Sequence, residues 1–254
     1  MALKRKLGIG LLNVLRFNWH FYAVVLVLSF LLIVRFSFVP DALQQWIFWT
    51  LILIWTQLLF SLGATFYNYD LSQLYDIAWL DSYRDNVSLR ILNIHAGYDE
   101  TSELILEKYP QVDLKIYDFY DAKLHTEVSI ARARKIYPTH KATIQVKATK
   151  LPETNFKANV ILVFMAAHEI RNEEERTLFF KELKKNLDKN GVIFVTEHLR
   201  DFPNALAYSF GCLHFFSRRS WLSVFENSGF RVMHEMKVTP FVTTFKLESR
   251  GNTF

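Results

Sequence analysis

Residues 89–100 constrain the fold more than any other stretch, because a hydrophobic run there passes through a glycine turn into an acidic segment. Gly97 marks the turn, and Asp99 and Glu100 then suit the first turn of a helix, whose N-terminus carries partial positive charge. A strand that turns at a glycine into a helix is typical of open α/β sheets that bind nucleotide-like ligands. The strand is predicted to be buried on both faces from its apolar residues Leu89, Ile91, Leu92 and Ile94.

A second hydrophobic run follows over residues 112–117 and ends at Asp118. In such sheets, an acid at the end of the second strand, about 20 residues after the first turn, binds the hydroxyls of a ribose. We therefore predict that Asp118 binds a ribose. The alternative is a solvated acid at the end of a strand.

The chain from Leu89 to its C-terminus resembles a class I S-adenosylmethionine-dependent methyltransferase. A strand of that family ends in Val-Leu-Asp-Ile-Gly-x-Gly-x-Gly, and this chain has Ile-Leu-Asn-Ile-His-Ala-Gly-Tyr-Asp over residues 91–99. Gly97 matches the middle glycine, whereas His95 and Asp99 replace the outer two and Asn93 replaces the acid. The resemblance implies a Rossmann-like, seven-stranded, mostly parallel sheet and S-adenosyl-L-methionine as the cofactor.

Later segments follow the order of elements in the same family. A fourth strand is expected over residues 160–164, and Asn172 is expected to cap a helix that ends at residues 190–191. A fifth strand is expected over residues 192–196. Residues 230–236 and 241–247 resemble the antiparallel pair that closes the family's sheet.

The resemblance also implies which residues bind the cofactor. Residues 148–152 resemble the family's segment near the adenine, with Lys147 in place of its acid. Gly97 is alternatively an ordinary turn glycine, Asn93 a structural residue of the turn, and His95 a filler of the space left by a glycine. The implied cofactor-binding residues are Asn93, His95, Ala96, Gly97, Asp118, Phe119, Ala148 and Thr149.

Two histidines are candidate catalytic bases for an acceptor that must lose a proton. His168, beside Glu169, follows the fourth strand, and His198 follows the fifth, at the sheet edge where acceptors lie in this family. Structural or capping roles are the alternative for both. The single cysteine, Cys212, excludes an internal disulfide, and no spacing of Cys and His typical of a metal site occurs, so we expect no metal.

Two apolar segments, residues 17–39 and 46–66, predict a transmembrane hairpin over residues 1–66. The net charge of +5 is carried by the five basic residues of positions 1–40, which argues against nucleic-acid binding. Lys4, Arg5, Lys6 and Arg16 precede or begin the first span, which predicts a plasma (inner) membrane protein with its N-terminus and catalytic domain in the cytoplasm. A signal peptide is the alternative.

Residues 67–88 are predicted to form an interfacial linker helix on the bilayer, or an amphipathic helix packed on the domain of residues 89–254. Residues 200–221 are rich in aromatic side chains. They predict an apolar lid in which Phe210, Phe215 and Phe216 contact a lipid-like acceptor, the alternative being a core helix.

The leading hypothesis is a membrane-anchored methyltransferase that acts on a lipophilic or membrane-associated small molecule, with the lipid bilayer as its partner. A rival is a catalytically degenerate methyltransferase fold that serves as a membrane-tethered binding or interaction module. A nicotinamide-dependent oxidoreductase is a third possibility, which the fourth and fifth strands disfavour.

Overall fold

A computed structural model describes residues 6–83, 88–125 and 127–251. Within them lies a seven-stranded sheet in the order β3-β2-β1-β4-β5-β7-β6. The strands are β1 Arg90–His95, β2 Asp113–Asp118, β3 Thr143–Gln145, β4 Ala158–Phe164, β5 Leu187–His198, β6 Phe230–Lys237 and β7 Val242–Ser249.

Strands β1 to β5 run parallel, and β7 is antiparallel to both β5 and β6. The centre of the sheet is buried on both faces, which explains the nearly continuous apolar runs of β1 and β4. The predicted mostly parallel sheet with an antiparallel closing pair is therefore confirmed.

The helices are α1 Ile9–Phe17, α2 Trp19–Phe36, α3 Asp41–Phe66, α4 Ser102–Lys108, α5 Val128–Ile136, α6 Glu173–Asn186, α7 Phe202–Tyr208 and α8 Arg218–Asn227. Asn172 caps α6 as predicted, because its side chain accepts hydrogen bonds from the backbone N–H groups of Glu174 and Glu175. The helix ends at Asn186, before the predicted residues 190–191. The reason is that Leu187 already pairs with Ala158 in the sheet, ahead of an irregularity in the ladder.

The apolar hairpin differs from its prediction in its bounds and in an additional helix. The helices run over Trp19–Phe36 and Asp41–Phe66 rather than over residues 17–39 and 46–66. Helix α1 precedes them, and its first backbone N–H groups, at Gly10 and Leu11, donate to the Asp70 carboxylate at 2.8 and 2.7 Å. Lys4 and Arg5, on which the predicted cytoplasmic N-terminus partly rests, lie outside the described residues.

Two helical segments, Trp19–Phe36 and Asp41–Tyr83, are long and apolar enough to cross a membrane. Only 6% of the most apolar window of each segment is buried inside the structure, so these windows are not packed in the core of the domain. Signal sequences near an N-terminus have the same length and composition.

The linker after α3 is not a single helix. It consists of short helical turns over Tyr67–Leu71, Leu74–Asp76 and Ala78–Tyr83, and Ile77 interrupts it with a left-handed backbone at φ +42°. Leu74, Ile77 and Leu80 are buried in a hydrophobic cluster with residues of β1, β4 and β5. The described part of the linker, residues 67–83, thus packs on the sheet, and the interfacial helix predicted for residues 67–88 is not formed there.

Candidate functional site

The carboxyl ends of β1 and β2 lie side by side, with His95 in register with Asp118. Just beyond β1, Gly97 adopts φ +92°, a conformation that favours glycine. A Cβ atom at Gly97 would lie 2.9 Å from Cγ2 of Ile130 and 2.9 Å from Cγ of Tyr120. Gly97 is therefore required both by its backbone conformation and by the close approach of side chains from the segment after β2.

Asn93 holds the turn after β1 together. Its amide nitrogen donates to Ser102 Oγ at 2.8 Å and to Asp99 Oδ1 at 3.2 Å, while its oxygen accepts from the Thr101 hydroxyl at 3.0 Å. The described contacts of Asn93 support its structural role in the turn, and cofactor binding by Asn93 stays a prediction.

His95 is only 3% exposed and lies between two carboxylates. Its Nε2 is 3.9 Å from Asp99 Oδ2 and its Nδ1 is 3.8 Å from Asp118 Oδ1, both too far for a hydrogen bond. Among the described residues, neither ring nitrogen has a hydrogen-bond partner, nor does Asp99 Oδ2. Burial lowers the pKa of His95, although Asp99 and Asp118 oppose this shift. The loop therefore has buried polar atoms that a polar ligand can satisfy.

Asp118 lies at the predicted strand end, but it is fully buried rather than solvated. Its Oδ1 accepts from the backbone N–H of Tyr120 at 2.9 Å, and its Oδ2 accepts from Nη1 of Arg134 in α5. The same Nη1 donates to the Gly97 carbonyl at 3.2 Å, and the guanidinium lies over the Tyr120 ring. Arg134 thus bridges the two strand ends, a role that the sequence analysis did not predict.

The other implied cofactor-binding residues lie in different surroundings. Ala96 and Phe119 are buried in the main core, where the Phe119 ring packs 5.2 Å from that of Phe179. Ala148 packs against this core. Thr149 lines a surface cavity of about 790 Å³ beside β3, whose described lining includes neither Gly97 nor Asp118. Phe119 is therefore a packing residue in this structure.

Helix α1 covers the turn after β1. Asn13 contacts two tyrosines: its Nδ2 lies 3.3 Å from the Tyr98 hydroxyl, and its Oδ1 accepts from the Tyr137 hydroxyl at 2.8 Å. The Phe17 ring meets both tyrosine rings edge-on. The apolar face of α1, which the sequence analysis merged into the hairpin, is the signal for this contact.

A second group of polar residues surrounds His168, in the short turn Ala167–Glu169 after β4. His168 Nδ1 lies 2.6 Å from Glu197 Oε2 of β5, and its Nε2 lies 3.1 Å from Glu169 Oε1. His214, at the end of the turn Ser209–His214, places Nε2 3.7 Å from Glu169 Oε1 and Nδ1 3.2 Å from Glu127 Oε1. The fold therefore brings together two histidines and three carboxylates from four separate segments.

The ionisation of this group follows from its partners. Burial alone would lower the pKa of His168, but Glu197 and Glu169 outweigh it and raise the pKa to about 10. Burial would raise the pKa of Glu169, but hydrogen bonds with His168 and His214 hold it well below its usual range. His168 is then protonated at neutral pH and can donate hydrogen bonds, but it cannot accept a proton as a general base in that state.

His198 is buried and held in one orientation. Its Nδ1 donates to the Phe241 carbonyl at 2.9 Å, so its Nε2 accepts from the Tyr69 hydroxyl at 2.8 Å. Burial lowers the pKa of His198 to about 4, against the opposing effect of the Phe241 carbonyl. His198 is thus neutral at pH 7, and both of its nitrogens are already engaged within the protein.

The three aromatic residues of the predicted lid do not share one environment. Phe210 is 87% exposed. Phe215 stacks on His198, with ring centroids 4.7 Å apart. Phe216 lies beneath the guanidinium of Arg176 and packs edge-on against Trp221. Phe210 is thus exposed, whereas Phe215 and Phe216 are half-buried and packed on one side against residues of the fold.

No protein-family model and no curated protein sequence matches the chain. The fold, however, is similar to those of solved methyltransferases. A SAM-dependent methyltransferase from Aquifex aeolicus aligns with a TM-score of 0.51 and 13% identity over 69% of this chain and 90% of its own. An S-adenosylmethionine-dependent methyltransferase from Clostridium acetobutylicum ATCC 824 aligns with a TM-score of 0.50 and 9% identity over 71% of this chain and 92% of its own.

A third similar structure is the mitomycin 7-O-methyltransferase MmcR, with a TM-score of 0.51 and 11% identity over 86% of this chain and 60% of its own. At identities this low, the similarity shows a shared fold and does not show a shared activity. The strand order, the glycine turn after β1 and the acid at the end of β2 agree with these similarities. The chain has the fold of the class I S-adenosylmethionine-dependent methyltransferases.

Proposed function

We propose that this chain is a membrane-anchored, S-adenosylmethionine-dependent methyltransferase for a lipophilic or membrane-associated small molecule. The observation that carries the proposal is the pairing of strand ends, in which the left-handed Gly97 and the Asp118 carboxylate meet at the edge of a methyltransferase-type sheet. Open α/β sheets bind ligands at the carboxyl ends of their strands.

The residues present fit the cofactor on one condition. We assign the polar methionine end of the cofactor to the turn that holds the unsatisfied nitrogens of His95, and the ribose to Asp118 at the neighbouring strand end. Arg134, however, holds one oxygen of the Asp118 carboxylate and the Gly97 carbonyl. The Arg134 side chain is 29% exposed, so it can turn outward, and cofactor binding requires it to release Asp118.

When bound, the cofactor supplies an electrophilic methyl group on a sulfonium, so the protein mainly orients the acceptor and excludes water. His168 and Glu169 lie at the end of β4, where they can hold a polar group of an acceptor. Protonated His168 is not a base at neutral pH, and an acceptor oxygen that bonds to its Nε2 would take the place of Glu169 Oε1. We assign His198 a supporting role, since its ring stacks on Phe215 and its hydrogen bond links Tyr69 to β5.

The membrane part of the proposal is supported by the contact between α3 and α7. Gln57 Nε2 donates to the carbonyl oxygens of Leu206 at 3.0 Å and Ala207 at 3.3 Å. Gln57 is about 14 Å from the end of α3 along the helix axis. A bilayer crossed by α3 would therefore reach α7 and the following turn, whose exposed apolar side chains are Phe202, Leu206, Phe210 and Leu213.

The test is calorimetric titration of the detergent-solubilised full chain with S-adenosylmethionine, S-adenosylhomocysteine and NAD. We expect the first two to bind and NAD not to bind. Binding of none of the three by a folded chain would contradict the proposal and support the membrane-tethered interaction module. Binding of NAD alone would support the oxidoreductase.

A further inference from the structure

The cluster around Glu169 has the composition and geometry of a metal site. His168, Glu169 and His214 each offer one ligand atom, and these three atoms lie within 4.8 Å of one another. The two histidine Nε2 atoms lie 3.1 and 3.7 Å from the same oxygen, Oε1 of Glu169. Ligand atoms about 2.0–2.2 Å from a tetrahedral Zn²⁺ are roughly 3.4 Å apart, which lies between the two observed distances.

We propose that His168, Glu169 and His214 bind a divalent first-row transition-metal ion of the Zn²⁺ type. Two imidazoles and one carboxylate favour such an ion over Mg²⁺ or Ca²⁺, which prefer oxygen ligands. Three protein ligands leave a fourth position open for water or for an oxygen of a substrate, as in catalytic rather than structural zinc sites.

Each histidine is oriented by an outer carboxylate. Glu197 Oε2 lies 2.6 Å from Nδ1 of His168, and Glu127 Oε1 lies 3.2 Å from Nδ1 of His214. A proton on each Nδ1 is donated outward to these acids, so each Nε2 can face Glu169 with a lone pair for a metal. Ligand histidines in proteins commonly have this outer partner, which fixes the tautomer and the direction of the ring.

The two turns that carry the ligands are tied together by Arg171. Its Nη1 donates to the backbone carbonyls of His168 at 3.1 Å and His214 at 2.6 Å. The backbones of the two histidines are thereby held in one arrangement, although 46 positions separate them in the chain.

The charge of the cluster also suits a cation. Three carboxylates, those of Glu127, Glu169 and Glu197, contact the two rings. A divalent ion held by the two rings and Glu169 would balance part of this negative charge. His168 and His214 are partly exposed, so an ion can enter from solvent.

The metal site rests on these contacts and not on the proposed methyl transfer, so the two proposals can fail separately. The experiment uses the full chain in detergent, treated with a chelator, and measures Zn²⁺ by equilibrium dialysis and Co²⁺ by visible absorption. We expect one equivalent of Zn²⁺ and the spectrum of a low-symmetry, four-coordinate Co²⁺ site.

His214→Ala and Glu169→Gln should each weaken Zn²⁺ binding at least about tenfold, and Glu197→Gln about tenfold through the orientation of His168. His234→Ala is the matched control, because His234 is an exposed histidine on the edge strand β6 and its loss should leave binding unchanged. If one of these variants fails to fold, Glu127→Gln replaces it in the experiment, because Glu127 is partly exposed. It should weaken Zn²⁺ binding through the orientation of His214.

Absence of stoichiometric binding by the wild-type chain would overturn the metal site, as would an affinity that His214→Ala and Glu169→Gln leave unchanged. S-adenosylhomocysteine titration of the same samples separates the two proposals. Intact cofactor binding without metal binding refutes only the metal site, and the reverse result refutes only the cofactor assignment.

Discussion

Replacement of Arg134 by alanine tests how the cofactor would reach Asp118. In the structure, Arg134 neutralises a carboxylate that has no exposed surface, while its own side chain is 29% exposed. Removing one partner of a fully buried ion pair costs about 3–5 kcal/mol, whereas an exposed pair contributes about 0–1 kcal/mol. This pair, with one partner buried and the other partly exposed, lies between these cases, so we expect Arg134→Ala to destabilise the fold by about 1–3 kcal/mol.

The same substitution should strengthen cofactor binding. If Arg134 must release Asp118 before a ribose binds, the wild-type affinity includes the cost of breaking that pair. Its removal should tighten S-adenosylhomocysteine binding roughly tenfold, which corresponds to about 1.4 kcal/mol. Asp118→Asn should have the opposite effect and weaken binding at least about tenfold, because charge-assisted hydrogen bonds to the ribose are lost.

The assay is calorimetric titration together with a thermal melt of each variant. Lys135→Ala is the control, since Lys135 is an exposed neighbour on α5. A variant that melts earlier and binds more tightly would support the competition between Arg134 and the ribose. If Arg134→Ala instead weakens binding as much as Asp118→Asn does, Arg134 is itself a ligand-binding residue. Affinities unchanged by both would mean that the ribose binds elsewhere, and the cofactor assignment would fail.

Three further predictions concern topology, acid stability and the bilayer. Cysteines placed at Leu3 and Leu43 should be labelled from outside intact cells only at position 43, and labelling at position 3 would contradict a cytoplasmic N-terminus. His198 is buried with its pKa lowered to about 4, so the unfolded chain binds more protons between pH 6.5 and 4, and stability should fall as the pH drops through that window. His198→Gln should flatten this dependence in melts across the range, and an unchanged slope would count against a neutral buried ring. In a chain that lacks residues 19–66, Phe202→Ser and Phe210→Ser should each weaken binding to lipid vesicles. Neither substitution should lower the melting temperature of that chain, because both side chains are exposed.

Much of the fold could be predicted from local patterns in the sequence. Strands β1 and β4 are buried on both faces, so their apolar runs stand out without any knowledge of their neighbours. Gly97 and Asp118 were predictable for a similar reason, since each directly follows or closes such a run and parallel strands end at one edge of the sheet.

The linker and the lid could not be predicted in the same way. Helical spacing predicted one amphipathic helix over residues 67–88, but the left-handed Ile77 interrupts it and its apolar side chains complete the core beneath β1 and β4. An apolar stripe shows that a face is covered, but it does not show whether a bilayer or the chain's own sheet covers it. The same limit applies to Phe210 and Phe216, one exposed and one packed against Trp221.

The sequence by itself thus determined where the central strands lie along the chain, the glycine turn and the acid after β2, because each depends on residues close together in the chain. The tertiary structure alone decided that Arg134 reaches Asp118 and that His214 meets Glu169. Those contacts join residues far apart in the chain, and their distances depend on how α5 and the turn Ser209–His214 pack on the sheet. No local periodicity encodes that packing, so the ionisation of His168 and the grouping of the residues proposed to bind a metal became visible only in the folded chain.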